Sequence, residues 1–476
     1  MGIQNTVQKI WGMCNILRGD GIGYNEYMSE LTYLLFLKIA KESGTDVDLP
    51  EGRRWDDLIS HPEKGLLAKY HKILTHLGAD AEDERIRNIY KFPTTVFNHD
   101  ENLKAVIDKI DTLEWHSIKH DAFGDIYEGL LAKNSQDSRA GAGQYFTPRA
   151  LVDIIIKLIQ PKTGEIIQDP ATGTGGFLIS ADKYIRDHNT AKSYRDDPPH
   201  YEGCEIEKNT YRLCLMNAFL HEMNTNIILG DGLTDDSEEL QEDVDVIVAN
   251  PPFGSKSGSV RKQKTSIKHP SSNKQLDFLQ HIYNGLKAGG RAAVVLPDNV
   301  LFEEGIGKTI RQELMALCDL HTILRLPTGI FYAAGVKANV LFFTRGKSNK
   351  NNTKDVWVYD LRSNMPTFNK GNQLKDEHFS DFLRKYGSDS NGQSKRVDEG
   401  KKGRFRKFTR GLITNKNDNL DISWFKTDDS TRQSNLPEPD IIAAQIMDNL
   451  DLALREMTEL QSILEEVDTS KAIADG

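Results

Sequence analysis

The stretch VDVIVANPPFG, residues 244–254, decides how this chain folds. Val244, Val246, Ile247 and Val248 form a β-branched apolar run, which reads as a buried strand. Asn250-Pro251-Pro252-Phe253 follows at once. Two consecutive prolines neither donate to a sheet ladder nor continue a helix. The strand therefore stops there, and its carboxyl end carries a stiff loop with an amide, a carbonyl and an aromatic ring. In an open α/β sheet that edge is where ligands bind.

These groups suit an exocyclic amine on a nucleic-acid base. Such a nitrogen is a poor nucleophile, because its lone pair is delocalised into the ring. The Asn250 side-chain oxygen and the Pro251 carbonyl could both accept from one NH2 group, and Phe253 could stack an extruded base, worth roughly 1–3 kcal/mol. Read as packing alone, the same residues are a strand, a turn and a core phenylalanine.

Upstream, EIIQDPATGTGGF (165–177) predicts a short strand ending at Asp169, then a glycine-rich turn, Gly173-Thr174-Gly175-Gly176, and a helix from about Phe177. The spacing is not the dinucleotide fingerprint, and the lysine of a phosphate loop is missing. A carboxylate at the strand end repels pyrophosphate and welcomes a cation, which favours S-adenosylmethionine over NAD or ATP. A second strand, 201–206, brings Glu205 to the position of a ribose-binding acid, with Glu207 as its rival. A third, within NIILGDGL (226–233), ends near Asp231, placed to meet an adenine amino group. Four strands thus deliver their special residues to one edge. Before them, Thr147 is expected to cap a helix that has Pro148 in its first turn and runs to about Ile159.

Beyond the opening stretch, residues 255–274 hold Lys256, Arg261, Lys262, Lys264, Lys268 and Lys274 and no acid, a candidate phosphate contact. A helix to about Lys287, a stop at Gly289-Gly290 and a fifth strand, 292–296, should follow. Two more strands are expected near 321–326 and 338–344. Phe331 and Tyr332 between them are candidates for a second wall of a base pocket. VWVYDLR reads as a strand, and the basic, glycine-rich 388–410 as a mobile loop that could touch phosphate.

The flanks are helical. Residues 27–43, 55–78, 101–112 and 121–136 repeat apolar positions at helical spacing, and 134–143 reads as a linker. Near the C-terminus Ile446, Leu450, Ala453, Met457, Leu460, Leu464 and Val467 form a heptad seam that needs a partner helix. The expected divisions are a helical domain (1–133), a catalytic domain (141–346), an irregular extension (347–435) and a C-terminal helix (437–470).

At 476 residues the chain should hold two or three domains. Its net charge of −10 argues against a strong grip on duplex DNA unaided. The 4 cysteines form no CxxC pair, so structural zinc is not expected, nor any other metal. No apolar run long enough to span a membrane and no secretory leader is visible, which points to the cytoplasm.

The motifs GDIYEGLL (124–131), GAGQYFTPR (141–149), DPATGTGGF, NPPFGS, HPSSNKQLDF (269–278), RLPTGIF (325–331) and NLDISWF (419–425) together resemble the modification subunits of type I restriction–modification systems. Having QYFTPR before the glycine-rich turn and NPPF after it is similar to the γ-class order of amino-methyltransferases. The resemblance implies an α/β, Rossmann-like methyltransferase core with a helical N-terminal domain and a helical C-terminal tail. It implies S-adenosylmethionine contacts at Gln144, Tyr145, Phe146, Thr147, Pro148 and Arg149, at the glycine-rich turn and at Glu205. Asn250, Pro251, Pro252 and Phe253 would make N6-methyladenine. The implied partners are double-stranded DNA, a specificity subunit shared with a second copy of this chain, and a motor–nuclease subunit. Rival readings are a methyltransferase acting on glutamine side chains or RNA bases, a standalone DNA adenine methyltransferase, and a non-catalytic assembly scaffold.

Overall fold

The computed structural model describes residues 3–18, 22–113, 115, 122–137, 147–254, 262–331, 336–366, 368–369 and 371–424. The heptad seam, Gln144 to Phe146, Tyr332 and residues 255–261 of the basic insertion lie outside them.

The strands are β1 (Ile166–Asp169), β2 (His200–Glu205), β3 (Thr225–Leu229), β4 (Val244–Ala249), β5 (Leu286–Pro297), β6 (Cys318–Arg325), β7 (Ala338–Arg345), β8 (Asp355–Asp360) and β9 (Phe405–Thr409). They form one sheet in the order β3-β2-β1-β4-β5-β7-β6-β8-β9. β1 to β5 run parallel, and β7 is antiparallel to both its neighbours. The chain builds outward from β1 to β3, then crosses back to lay β4 on the other side of β1. The direction of winding reverses between β1 and β4, and a ligand crevice opens above such a reversal.

β4 shows why the sheet needs helices on both faces. Val246 and Val248 join the core formed with helices 149–159 and 176–188, whereas Ile247 and Ala249 join the core formed with helices 274–285 and 306–317. A strand buried on both faces loses polar alternation and reads as a continuous apolar run.

The N-terminal segments fold as helices, among them Tyr24–Ser43, Leu66–Asp80, Asp100–Asp111 and Ala122–Asp137. They enclose a third core, which also takes Leu213, Met216 and Leu220 of helix Lys208–Leu220. The opposite side of that helix gives Tyr211, Cys214 and Ala218 to the sheet core. Arg212, 4% exposed, fastens the junction: its Nε donates to the Ile89 carbonyl at 3.0 Å, and its guanidinium lies 4.8 Å from the Tyr33 ring centre.

Three expectations need correction. Helix 274–285 ends before Gly289-Gly290, and β5 already begins at Leu286. The register slips between Val244 and Val246, Gly289 takes φ +85°, and a side chain on Gly290 would meet the Val244 carbonyl at 2.7 Å. The pair is therefore a bulge inside a strand. Residues 388–410 are not a mobile loop. Phe405 and Phe408 are buried, β9 pairs with β8, and Arg396 stacks over Tyr386 at 4.4 Å while donating to Thr322 Oγ1 at 2.9 Å. Its cations are partly consumed by packing, which charge counting does not reveal. For the same reason the irregular extension is not irregular throughout: β8 pairs in parallel with β6 and extends the central sheet.

Candidate active site

The reversal between β1 and β4 brings the special residues to one edge. Asp169 ends β1, Glu205 ends β2, Asp231 follows β3, and Asn250 follows β4. One cleft is lined by Thr147, Asp169, Gly173, Thr174, Phe177 and Asn250, among others.

On the β1–β3 side the geometry is set mainly by the turns that follow the strands. Asp169 is 1% exposed, and its Oδ1 accepts from the Ala171 amide at 3.0 Å. Burial, reinforced by the charge of Glu205 and opposed by that amide, raises its pKa to about 8. Glu205 accepts from the Glu207 amide at 2.8 Å and the Gly173 amide at 3.0 Å. Burial outweighs those amides and lifts it to about 7. A carboxylate has about four acceptor sites, so these amides leave room for a further donor. Glu207, the rival for the place of the ribose acid, caps helix 208–220, accepting from the Asn209 and Thr210 amides.

The glycine-rich turn is held from both sides. Gly175 adopts φ +82°, and a side chain there would press on Cys214 Sγ at 3.0 Å. Asn217, 1% exposed, donates from Nδ2 to the Thr174 carbonyl at 3.0 Å. Asp231 turns its Oδ1 to the Leu233 amide at 3.0 Å.

On the β4 side the geometry is long-range. Asn250 Nδ2 donates to Thr147 Oγ1 at 2.9 Å, which leaves Oδ1 buried and without a partner among the described residues. Thr147 is thus not the helix cap. The helix starts at Arg149 with no side-chain cap, and the Thr147 hydroxyl holds the amide instead. Arg149 pairs with Glu128 of the N-terminal helices and with Asp153 at 3.1 Å. The Phe253 ring meets Phe331 edge-on, with centres 6.0 Å apart and planes at 76°.

In the described part of the basic insertion, 262–274, Lys264 Nζ donates to the Ser237 carbonyl at 3.2 Å, Lys268 pairs with Glu313 at 3.2 Å, and Lys262 is exposed.

The comparisons with known proteins agree with this arrangement. The family model described as N-6 DNA Methylase matches residues 118–433. The chain is 44% identical to the type I restriction enzyme EcoKI methylase subunit of Escherichia coli (strain K12), over 99% of this chain and 96% of that one. It is also 44% identical to the StySPI methylase subunit of Salmonella potsdam, over 99% and 97%. The chain belongs to the type I restriction enzyme methylase subunits.

It is accordingly an adenine-specific DNA methyltransferase with an α/β, Rossmann-like fold. The crystal structure of the EcoKI M protein, 41% identical, covers 96% of both chains with a TM-score of 0.56. A structure solved to explain assembly and conformational transition of the type I system, 27% identical, covers 96% of this chain and 98% of that one, at a TM-score of 0.73. Among the described residues, no helix of this methylase subunit is long and apolar enough to cross a membrane.

Sequence reasoning missed two groups at this edge. Asn217 lies inside a helix with no motif around it. Asp298, bound by Arg362 just past the end of β5, had a signal in hindsight: like Asp169, it is an acid at the end of a predicted strand.

Proposed function

We propose that this chain transfers a methyl group from S-adenosylmethionine to N6 of an adenine flipped out of double-stranded DNA. It does so as the modification subunit of a type I complex in the cytoplasm. A specificity subunit, bound by two copies of this chain, reads the DNA site, and a motor–nuclease subunit joins for restriction. We divide the chain as the sequence suggests, into helical 1–133, catalytic 141–346, an extension that completes the sheet, and a C-terminal helix at 437–470 for subunit contact.

The observation that carries the reading is the anchored amide of Asn250. Thr147 fixes its NH2 end, so Oδ1, buried and without a partner among the described residues, is left as an acceptor on a residue that lines the cleft. A buried acceptor without a donor is costly unless a ligand supplies one.

The residues present fit the cofactor. Asp169 and Glu205, both buried and both lifted in pKa, suit a ligand that brings cationic charge and hydroxyl donors. The backbone of Gly173 to Gly176 gives close approach without a lysine. Asp231 would take the adenine amino group, and Gln144 to Pro148 the remaining contacts, with Arg149 steadying their helix. When bound, the cofactor supplies a methyl group on a sulfonium, an already activated leaving group.

The chain's own part is to bind and orient. Asn250 Oδ1 and the Pro251 carbonyl hold the two N6 hydrogens and draw the nitrogen towards sp3 geometry. Pro252 stiffens the loop, and Phe253 gives the base a face. Positioning of this kind supplies most of the rate where the electrophile is already activated.

Incubating DNA and S-adenosylmethionine with the chain alone, and with its specificity subunit, tests the reading. N6-methyladenine, quantified by mass spectrometry of digested DNA, should form only with the subunit. Formation by the chain alone would show that it reads its own target. Formation in neither case would overturn the proposal.

A further inference from the structure

Arg362 lies just past β8, with 15% of its side chain exposed. Its guanidinium grips both oxygens of Asp298: Nη1 to Oδ2 at 2.7 Å and Nη2 to Oδ1 at 2.8 Å. Nε donates to the Leu326 carbonyl and Nη2 to the Ala338 carbonyl, each at 3.0 Å. Asn339 Nδ2 adds a third donor to Asp298, at 2.8 Å, and the Asp298 amide donates to the Lys337 carbonyl at 3.0 Å. One side chain therefore ties together the site-edge ends of β5, β6, β7 and β8.

What these bonds enclose is the connection from β6 to β7. Leu326 opens it and Lys337 closes it, and both of those carbonyls are held. Inside it Gly329 takes φ +84°, where a side chain would strike the Phe368 carbonyl at 2.1 Å. Two residues later comes Phe331, 7% exposed, whose ring meets Phe253 of the catalytic loop. The placement of Phe331 is thus set by a chain of contacts that begins at Arg362. None of these contacts touches Asp169, the glycine-rich turn or Glu205.

We infer that Arg362, acting through Asp298, is a positioning residue for the second wall of the target-base pocket, holding Phe331 against Phe253 and so setting the slot an extruded adenine enters. This rests on the reading that the chain methylates an extruded adenine. Burying a lone ion pair is seldom worth its desolvation, and apolar replacements are often as stable. Arg362 spends its fork on three separate strand ends, which a lysine, a point charge with no planar fork, cannot do.

The test uses the full chain assembled with its specificity subunit, on a duplex carrying the mapped site. Arg362→Lys keeps a cation beside Asp298 and breaks the fork. Cofactor affinity should stay within about twofold of wild type. The single-turnover methylation rate should fall by roughly 10–100-fold, the scale of a small misplacement of reacting groups. With 2-aminopurine in place of the target adenine, the fluorescence gain that reports extrusion should drop by more than half. Asp298→Asn should likewise lower the rate and the fluorescence gain and leave cofactor affinity within about twofold of wild type, and it decides the matter if thermal melting shows Arg362→Lys unfolded. Wild-type rate and fluorescence in the folded variant would overturn the inference, as would an equal loss of cofactor affinity. If the wild-type complex itself methylates nothing, the functional reading has failed, and that result is distinguishable from either.

Discussion

The two sides of the crevice are built differently. At the ends of β1 and β2, the special carboxylates are fixed by amides of the strands' own turns: Asp169 by Ala171, and Glu205 by Glu207 and, 32 residues away across the strand pair, by Gly173. At the end of β4, Asn250 depends on Thr147, 103 residues away, and Phe331 on the pairing of Arg362 with Asp298, 64 residues apart. The cofactor side is a set of turns, and the base side is an assembly. A turn forms wherever its strand forms. An assembly requires the whole sheet, so changes remote in sequence can damage methyl transfer without damaging cofactor binding.

The largest effect that would sharpen this contrast is at Asn250. Asn250→Ala removes the acceptor aimed at N6, and transfer should fall about a thousandfold, the scale seen when one preorganised polar contact to a reacting group is lost. Glu205→Gln should do the reverse, weakening S-adenosylmethionine binding by about 10–100-fold, as expected for hydrogen bonds to an ionised group, while saturating cofactor restores most of the rate. Calorimetry and methylation kinetics on the same preparations separate the two. Equal loss of binding and rate in both variants would erase the distinction.

A smaller effect is expected at Thr147. Thr147→Val keeps the shape and removes the acceptor for Asn250 Nδ2, so the amide is free to rotate. The turnover number should drop by up to about tenfold, the worth of one neutral hydrogen bond. An unchanged rate would show that the amide is oriented by other contacts.

The smallest effect is on stability. Burial lifts Asp169 from an ordinary 3.8 to about 8. Well below pH 3.8 the carboxyl is protonated in both folded and unfolded chains, so nothing is lost. As pH rises towards 8 the unfolded chain ionises first, and the folded state loses stability until its own carboxyl ionises. Asp169→Asn keeps the acceptor for Ala171 and abolishes that slope. Without cofactor, the variant should melt higher than wild type by about 1–2 °C at pH 8 and by less at pH 5. Wild-type cofactor affinity should rise over the same range as Asp169 ionises, and the variant should lose that rise. A melting difference that does not change with pH would contradict the burial argument.

The same contrast explains what could be read from the sequence. The strands β1 to β4, the acids at their ends and the NPPF loop were all legible, because a buried strand is an apolar run and a turn announces itself in glycine and proline. Two features were not. Thr147 carries the pattern of a helix cap, yet its hydroxyl goes to a partner that only the closed sheet brings near. Residues 395–410 carry the pattern of a solvated basic loop, yet Arg396 and the strand Phe405–Thr409 are packed against β6 and β8. Charge density says how many cations a segment has, and tertiary structure says how many are still available. Arg362 combines both difficulties: a single arginine in a polar stretch, whose partners are three strand ends.

The most direct test of the account is a paired measurement on wild type and Asn250→Ala, each assembled with the specificity subunit. N6-methyladenine formed on a target duplex would be counted by mass spectrometry, and S-adenosylmethionine affinity measured by calorimetry on the same samples. The account predicts equal cofactor affinity, methylation by wild type and almost none by the variant. Methylation surviving in Asn250→Ala, or cofactor affinity lost together with it, would contradict the claim that the anchored amide of Asn250 is what prepares the adenine for transfer.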